Sequence, residues 1–186
     1  MTTANQPEQP ERFEHRLERT YEVAAAPEQV WDAIATATGI SAWMVPTTLD
    51  PQIGGEVSFD LGEMISIGVV TGYTPNERFA YEEPWPIAAE QPIPGEMAEW
   101  FNKLGVSPSD VHGNLPSITP IATEFLIESV SGGSCVLRVV SSSYGTGADW
   151  EHEFWTEMVA GWTELLDNLA AHINEVSTTP SRSPMK

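Results

Sequence analysis

Apolar and polar positions alternate from Leu17 to Ala25, with Leu17, Arg19, Tyr21, Val23 and Ala25 on one side and Glu18, Thr20, Glu22 and Ala24 on the other. A period of two belongs to a strand with one buried face. At Pro27 the period changes. Proline suits the first helical position, where the N–H it lacks would have no partner, and Val30, Trp31 and Ile34 then fall on one helical face. Ala35 to Gly39 interrupt that helix, and Ile40, Trp43 and Met44 make a second short apolar turn that Pro46 stops.

Alternation returns in Val57, Phe59 and Leu61, runs from Ile65 to Tyr73, and continues through Phe79 and Tyr81. Gly68 and Gly72 mark places where the strand bends or a neighbour comes close. Thr123, Phe125 and Ile127 face Leu137, Val139 and Ser141 across Ser131-Gly132-Gly133-Ser134, whose two glycines suit a tight primed turn. These stretches predict a curved antiparallel sheet of six or seven strands. Near the end, Trp155, Met158, Val159, Trp162, Leu166, Leu169 and Ile173 recur at spacings of three and four, opposite Glu153, Glu157, Glu164, Asp167 and Asn168. A helix and a sheet that each carry one oily face must cover each other, so the fold class is α+β.

Residues 84 to 120 fit neither pattern. Pro84, Pro86, Pro92 and Pro94 keep the first part extended; Met97, Trp100, Phe101 and Leu104 then define one amphipathic helix ended by Gly105. Ser107-Pro108-Ser109-Asp110 reads as the cap and first turn of another. A long connection with its own secondary structure is more often functional than idle. Two readings stand: a lid over a ligand cavity, or a plug in an open end of the sheet.

The segments Ala26-Pro27-Glu28-Gln29-Val30-Trp31-Asp32-Ala33-Ile34, Ile40-Ser41-Ala42-Trp43-Met44-Val45-Pro46 and Ile53-Gly54-Gly55-Glu56-Val57, followed by Gly68-Val69-Val70 and Pro75-Asn76-Glu77-Arg78-Phe79, carry a family resemblance by their order. The chain resembles the START-like (SRPBCC) superfamily over roughly residues 16 to 176, in particular the branch named after the activator of Hsp90 ATPase. That resemblance implies the helix-grip fold, in which the sheet wraps around a long C-terminal helix, two short helices follow the first strand, and a cavity lies between sheet and helix. It also implies two further functions found in relatives: stimulation of the Hsp90 chaperone by eukaryotic members, and cyclase or hydrolase activity in some others. Residues 84 to 120 depart from the family pattern.

The chain has 186 residues, 41% of them hydrophobic, enough for one domain with a single core. The expected organisation is a disordered tail over 1–12, one domain over 13–176 with the insertion 84–120, and a second disordered tail over 177–186. No apolar run approaches the roughly 20 residues of a membrane helix, and the polar N-terminus lacks the regions of a signal peptide, so a cytoplasmic location is expected. A net charge of -19 with 8 Lys and Arg disfavours nucleic acid and anionic membrane surfaces as partners. A homodimer remains open. The single Cys135 excludes an intrachain disulfide framework, and its alternation with Leu137 and Val139 makes it a buried apolar thiol.

Catalytic signals are sparse. His15, His112, His152 and His172 show no paired spacing, so no metal site and no cofactor are expected. Glu151-His152-Glu153 offers acid and base groups, but successive helical residues diverge by about 100° and cannot all face one pocket. Glu82 and Glu83 adjoin on a strand and face opposite sides, so they are not a carboxylate pair. Neither a nucleophile elbow nor a phosphate or dinucleotide loop is present. The aromatic and methionine content instead suits an adaptable apolar pocket. Candidate cavity residues are Trp43, Phe59, Tyr81, Trp85 and the helix residues His152, Trp155, Met158 and Trp162; Met97, Trp100 and Phe101 are the candidate lid residues. The expected function is noncatalytic binding of a small apolar or aromatic molecule. A chaperone-related or other protein-interaction module, and a cyclase or hydrolase using the same cavity, are the alternatives.

Overall fold

The computed structural model of the protein describes residues 12–62, 64–85, 95–103, 105, 118–130 and 132–178. Its elements are β1 (Phe13–Val23), α1 (Pro27–Ile34), α2 (Ala37–Trp43), β2 (Thr47–Leu49), β3 (Glu56–Asp60), β4 (Ile65–Thr74), β5 (Arg78–Glu83), α3 (Gly95–Lys103), β6 (Ile121–Val130), β7 (Ser134–Gly145) and α4 (Asp149–Thr178). All seven strands join one antiparallel sheet in the order β1-β7-β6-β5-β4-β3-β2. With the long C-terminal helix and two short helices after the first strand, this is the helix-grip fold. The tails expected over 1–12 and 177–186 lie almost wholly outside the described residues, although α4 continues to Thr178. Pro86, Pro92, Pro94 and the helical turn expected at Ser107 to Asp110 lie outside them as well.

Local chemistry explains the early break. The Gln29 carboxamide accepts a hydrogen bond from the Ala26 N–H at 3.0 Å, which closes the start of α1. Thr36 ends it and starts α2: its hydroxyl donates to Asp32 O at 2.6 Å and accepts from the Gly39 N–H at 3.0 Å. Gly39 is required here, because a Cβ would stand 1.8 Å from Asp32 O. Trp43 then locks the pair, its indole N–H donating to Ala33 O at 3.0 Å.

The sheet follows the alternation closely. Ser66, Gly68 and Val70 of β4 face inward, while Ile65, Ile67 and Val69 lie exposed on the outer face; past the bulge Gly72 turns outward, under the Arg78 side chain. A Cβ on Gly68 would meet Glu82 O at 2.6 Å, and the β4/β5 register shifts between Val70 and Gly72, so both glycines serve close approach and a bulge. Gly132 and Gly133 take φ of 100° and 80°, as a primed turn requires. β2, three residues long, is too short to show a period in sequence.

Against the concave face lies α4, with Trp155, Trp162, Leu166, Leu169 and Ile173 buried. Each large apolar side chain so buried contributes about 1.5 to 3 kcal/mol. Cys135 is buried, and burial raises its thiol pKa.

Candidate functional site

The strands and α4 do not close on each other along their whole length. Midway along the helix a cavity of about 260 Å³ remains, with Met44, Phe59, Leu61, Ile121, Met158, Trp162 and Leu165 as its apolar lining. Gly161, on the helix side, contributes a bare patch: a Cβ there would meet nothing within 4 Å. The rest of the wall is a polar row built by strand parity, with Ser66 on β4, Glu83 on β5, Thr123 on β6 and Ser141 on β7. Register aligns its members, since Thr123 pairs with both Tyr81 and Ser141, and Glu83 with Ile121.

Most of this row is internally satisfied. Thr123 and Ser141 share a hydrogen bond at 3.0 Å, and the Trp162 indole N–H donates to Ser141 Oγ at 3.0 Å. Glu83 differs. Its carboxylate accepts one hydrogen bond, from Ser66 Oγ at 2.6 Å, and it is the single charged side chain on the cavity wall among the described residues. Enclosure in a mostly apolar wall holds its pKa above the usual carboxylate range, and the Ser66 bond offsets only part of that. The phenol of Tyr81 behind it is pushed well above its ordinary value, first by burial and then by the Glu83 charge.

At the N-terminal end of α4 the same two surfaces are packed shut. Glu151 is buried and accepts hydrogen bonds from the N–H groups of Thr146 (2.8 Å) and Gly147 (3.0 Å) and from the Thr146 hydroxyl. His15 on β1 lies beside it, Nε2 3.6 Å from Glu151 Oε2, a contact too long for a hydrogen bond. Burial depresses the His15 pKa more than Glu151 raises it. Around them Trp85, Trp150, Phe154 and Trp155 form an aromatic cluster, and the Trp85 indole N–H is shared between Ser143 Oγ (3.0 Å) and Thr119 O (3.2 Å).

The sequence-derived candidates divide between these regions. Phe59, Met158 and Trp162 line the cavity. Trp43 and Tyr81 stand behind its wall, ring centroids 6.2 Å from Trp162 and 5.3 Å from Phe59 respectively. Trp85 and Trp155 belong to the closed end, as does Phe101 of α3, which is buried with its ring 6.1 Å from that of Trp150. None of the described α3 side chains lines the cavity. The side chains of Met97 and Trp100 lie outside the described residues. His152 is exposed, edge-on to Phe13, and outside the cavity lining. Ten residues separate it from Trp162, about 15 Å of helix. Sequence reasoning missed the rest of the lining, Met44, Ser66, Glu83 and Gly161 among it. Parity was the available signal for Glu83: it shares a strand face with Tyr81 and Trp85. Among the described residues no group of His, Cys, Asp and Glu is arranged to hold a metal ion.

Residues 24–174 match the family described as "Activator of Hsp90 ATPase homolog 1-like protein". The chain belongs to this family. No curated protein matches its sequence. Among solved structures, this family member is similar to a Mesorhizobium loti protein at a TM-score of 0.63 and 14% identity, covering 88% of this chain and 99% of that one. The Aha1 dimer from Colwellia psychrerythraea gives 0.56 and 16%, covering 88% and 98%. Norcoclaurine synthase from Thalictrum flavum, solved in complex with dopamine and hydroxybenzaldehyde, gives 0.54 and 12%, covering 95% and 93%. At such identities the likeness is one of fold, and chemistry must be argued from the site. Among the described residues, no helix of this activator-family chain is long and apolar enough to cross a membrane.

Proposed function

We propose that this member of the activator of Hsp90 ATPase homolog 1-like family is a noncatalytic binding protein, a single cytoplasmic domain over residues 13–176 that holds a small, largely apolar or aromatic molecule between the sheet and α4. The observation that carries this reading is the cavity itself, about 260 Å³. An apolar cavity of about 150 Å³ suffices for benzene, so a molecule of one or two rings fits here. Its fold is shared with a synthase that was solved with two aromatic molecules bound, which supports the reading at the level of architecture. A cyclase or hydrolase orients its nucleophile and base with a third group beside them. The described wall offers Glu83 with the Ser66 hydroxyl bonded to it, while Thr123 and Ser141 bond to each other and Ser141 to the Trp162 indole, and no His, Lys or Arg joins them.

A second reading, as an interaction module, is favoured by one observation: Ile65, Ile67 and Val69 form an exposed apolar row on the outer face of β4. A homodimer is its simplest form. Native mass spectrometry of the purified protein tests both readings together. A copurified small molecule, or uptake of an added naphthalene derivative at one per chain, supports the binding reading. Absence of any uptake by the wild type overturns it. A two-chain mass that survives Ile67→Lys argues against β4 as the contact.

The described helix of the insertion, α3, belongs to this reading as a plug. Phe101 anchors α3 on Trp150, at the end of the helix remote from the cavity lining.

A further inference from the structure

Accepting the cavity as a ligand site, we propose that its occupant is an organic cation: a primary amine on a one- or two-ring aromatic body, with its ammonium group placed at the Glu83 carboxylate beside Ser66. Three observations point the same way. The first is geometry. Glu83 stands on the cavity wall with one hydrogen bond, from Ser66 Oγ at 2.6 Å, while Ser141 and Thr123 are occupied with each other and Trp162. A carboxylate presents about four acceptor positions, so most of its capacity is unused among the described residues.

The second is the choice of side chain. A glutamine at position 83 would accept and donate hydrogen bonds to a neutral ligand at a smaller desolvation cost. Holding a carboxylate in this wall is costly, and a positive partner would offset what the Ser66 hydrogen bond leaves. No Lys, Arg or His lines the described wall to supply one. Burial accordingly favours the protonated form while no cation is present.

The third is the field of the whole chain. With a net charge of -19, the protein raises the local concentration of cations and lowers that of anions. The aromatic faces of Phe59 and Trp162, and the methionines Met44 and Met158, then suit the ring and the carbons next to the ammonium. Gly161 completes the fit by leaving open space where any other residue would place a Cβ.

The test compares 2-naphthylmethylamine, 2-naphthylmethanol and 2-naphthoate on the full chain by calorimetry and naphthalene fluorescence. Affinity in the wild type is expected in the order amine, alcohol, carboxylate, with the amine ahead of the alcohol by about tenfold or more, the size of a charge-assisted hydrogen bond. Glu83→Gln, whose fold is checked by circular dichroism, is expected to erase that advantage while retaining alcohol binding. Gly161→Leu is expected to abolish binding of all three. Equal affinity for amine and alcohol, or an amine preference unchanged in Glu83→Gln, overturns the assignment of a cation while leaving the apolar cavity intact. Binding of all three that survives Gly161→Leu, or binding of none by the wild type, removes the cavity reading itself and this inference with it.

Discussion

Glu151 and Glu83 are both carboxylates set between the sheet and α4, yet they are treated in opposite ways. Glu151 is fully buried, bonded by two backbone N–H groups and a hydroxyl, and walled by tryptophans. Glu83 has one bond and a cavity in front of it. A saturated carboxylate ties the β7 to α4 connection to the first turn of the helix and has no capacity left for a ligand. An unsaturated one weakens the free protein locally and leaves a place to bind. The closed end of the grip is built for stability, and the open middle is where recognition is proposed.

The largest expected effect breaks the closed end. Trp85→Ala, which removes a fully buried indole and its bonds to Ser143 and Thr119, should cost about 3 to 5 kcal/mol in denaturant unfolding. Glu151→Ala should cost roughly 3 kcal/mol, because the buried carboxylate's charge-assisted bonds from the Thr146 and Gly147 N–H groups are lost. A loss below about 1 kcal/mol in both would erase the distinction between the two ends.

A second effect separates the ends by pH. His15 has a folded pKa depressed below 6.5, so its contribution is present above that value and lost as pH falls through the folded pKa. Glu83 has a folded pKa raised above 4.5, so its contribution is present below 4.5 and lost as pH rises through the folded pKa. Stability profiles should show it: His15→Gln flattens the acid limb, and Glu83→Gln flattens the fall on the other side and leaves the protein at least as stable at neutral pH. Parallel profiles for wild type and Glu83→Gln would mean that the carboxylate is not held against its preference.

The smallest effect sharpens the comparison from the helix side. Gly161→Ala should stabilise the protein by up to about 1 kcal/mol, since it removes a mid-helix glycine where nothing opposes a Cβ. The same change should weaken ligand binding. A thermal shift paired with a titration checks both, and a stabilised variant with undiminished affinity would deprive Gly161 of its role.

The fold was largely legible because every element longer than β2 carries its own period. Leu17 to Ala25, Phe59, Tyr81, Thr123 to Ile127 and the α4 stripe all sit on the faces their spacing predicts. The site was only half legible. Apolar periodicity marks a residue as facing inward, but core and cavity wall are both inward, so Trp155 and Trp162 look alike in sequence although one is packed shut and the other lines a space. Polar members of the wall, Ser66 and Glu83, are invisible to a search for oily faces. They become visible only when parity is followed through positions that hydropathy discounts. His152 attracted attention for its chemistry, yet its place on the helix leaves it exposed beside Phe13.

One feature of β1 constrains how copies of this chain can meet. Edge strands invite sheet extension, and β1 is an edge of eleven residues. Along its solvent face run Glu14, Arg16, Glu18, Thr20 and Glu22, with Glu18 already bridging Arg16 and Arg138. Two such strands aligned antiparallel about Glu18 would set Glu18 against Glu18 and Glu14 against Glu22, like charges in direct opposition. In that register the border repels its own image, so a copy that extends this sheet must slide to one in which Arg16 meets Glu18.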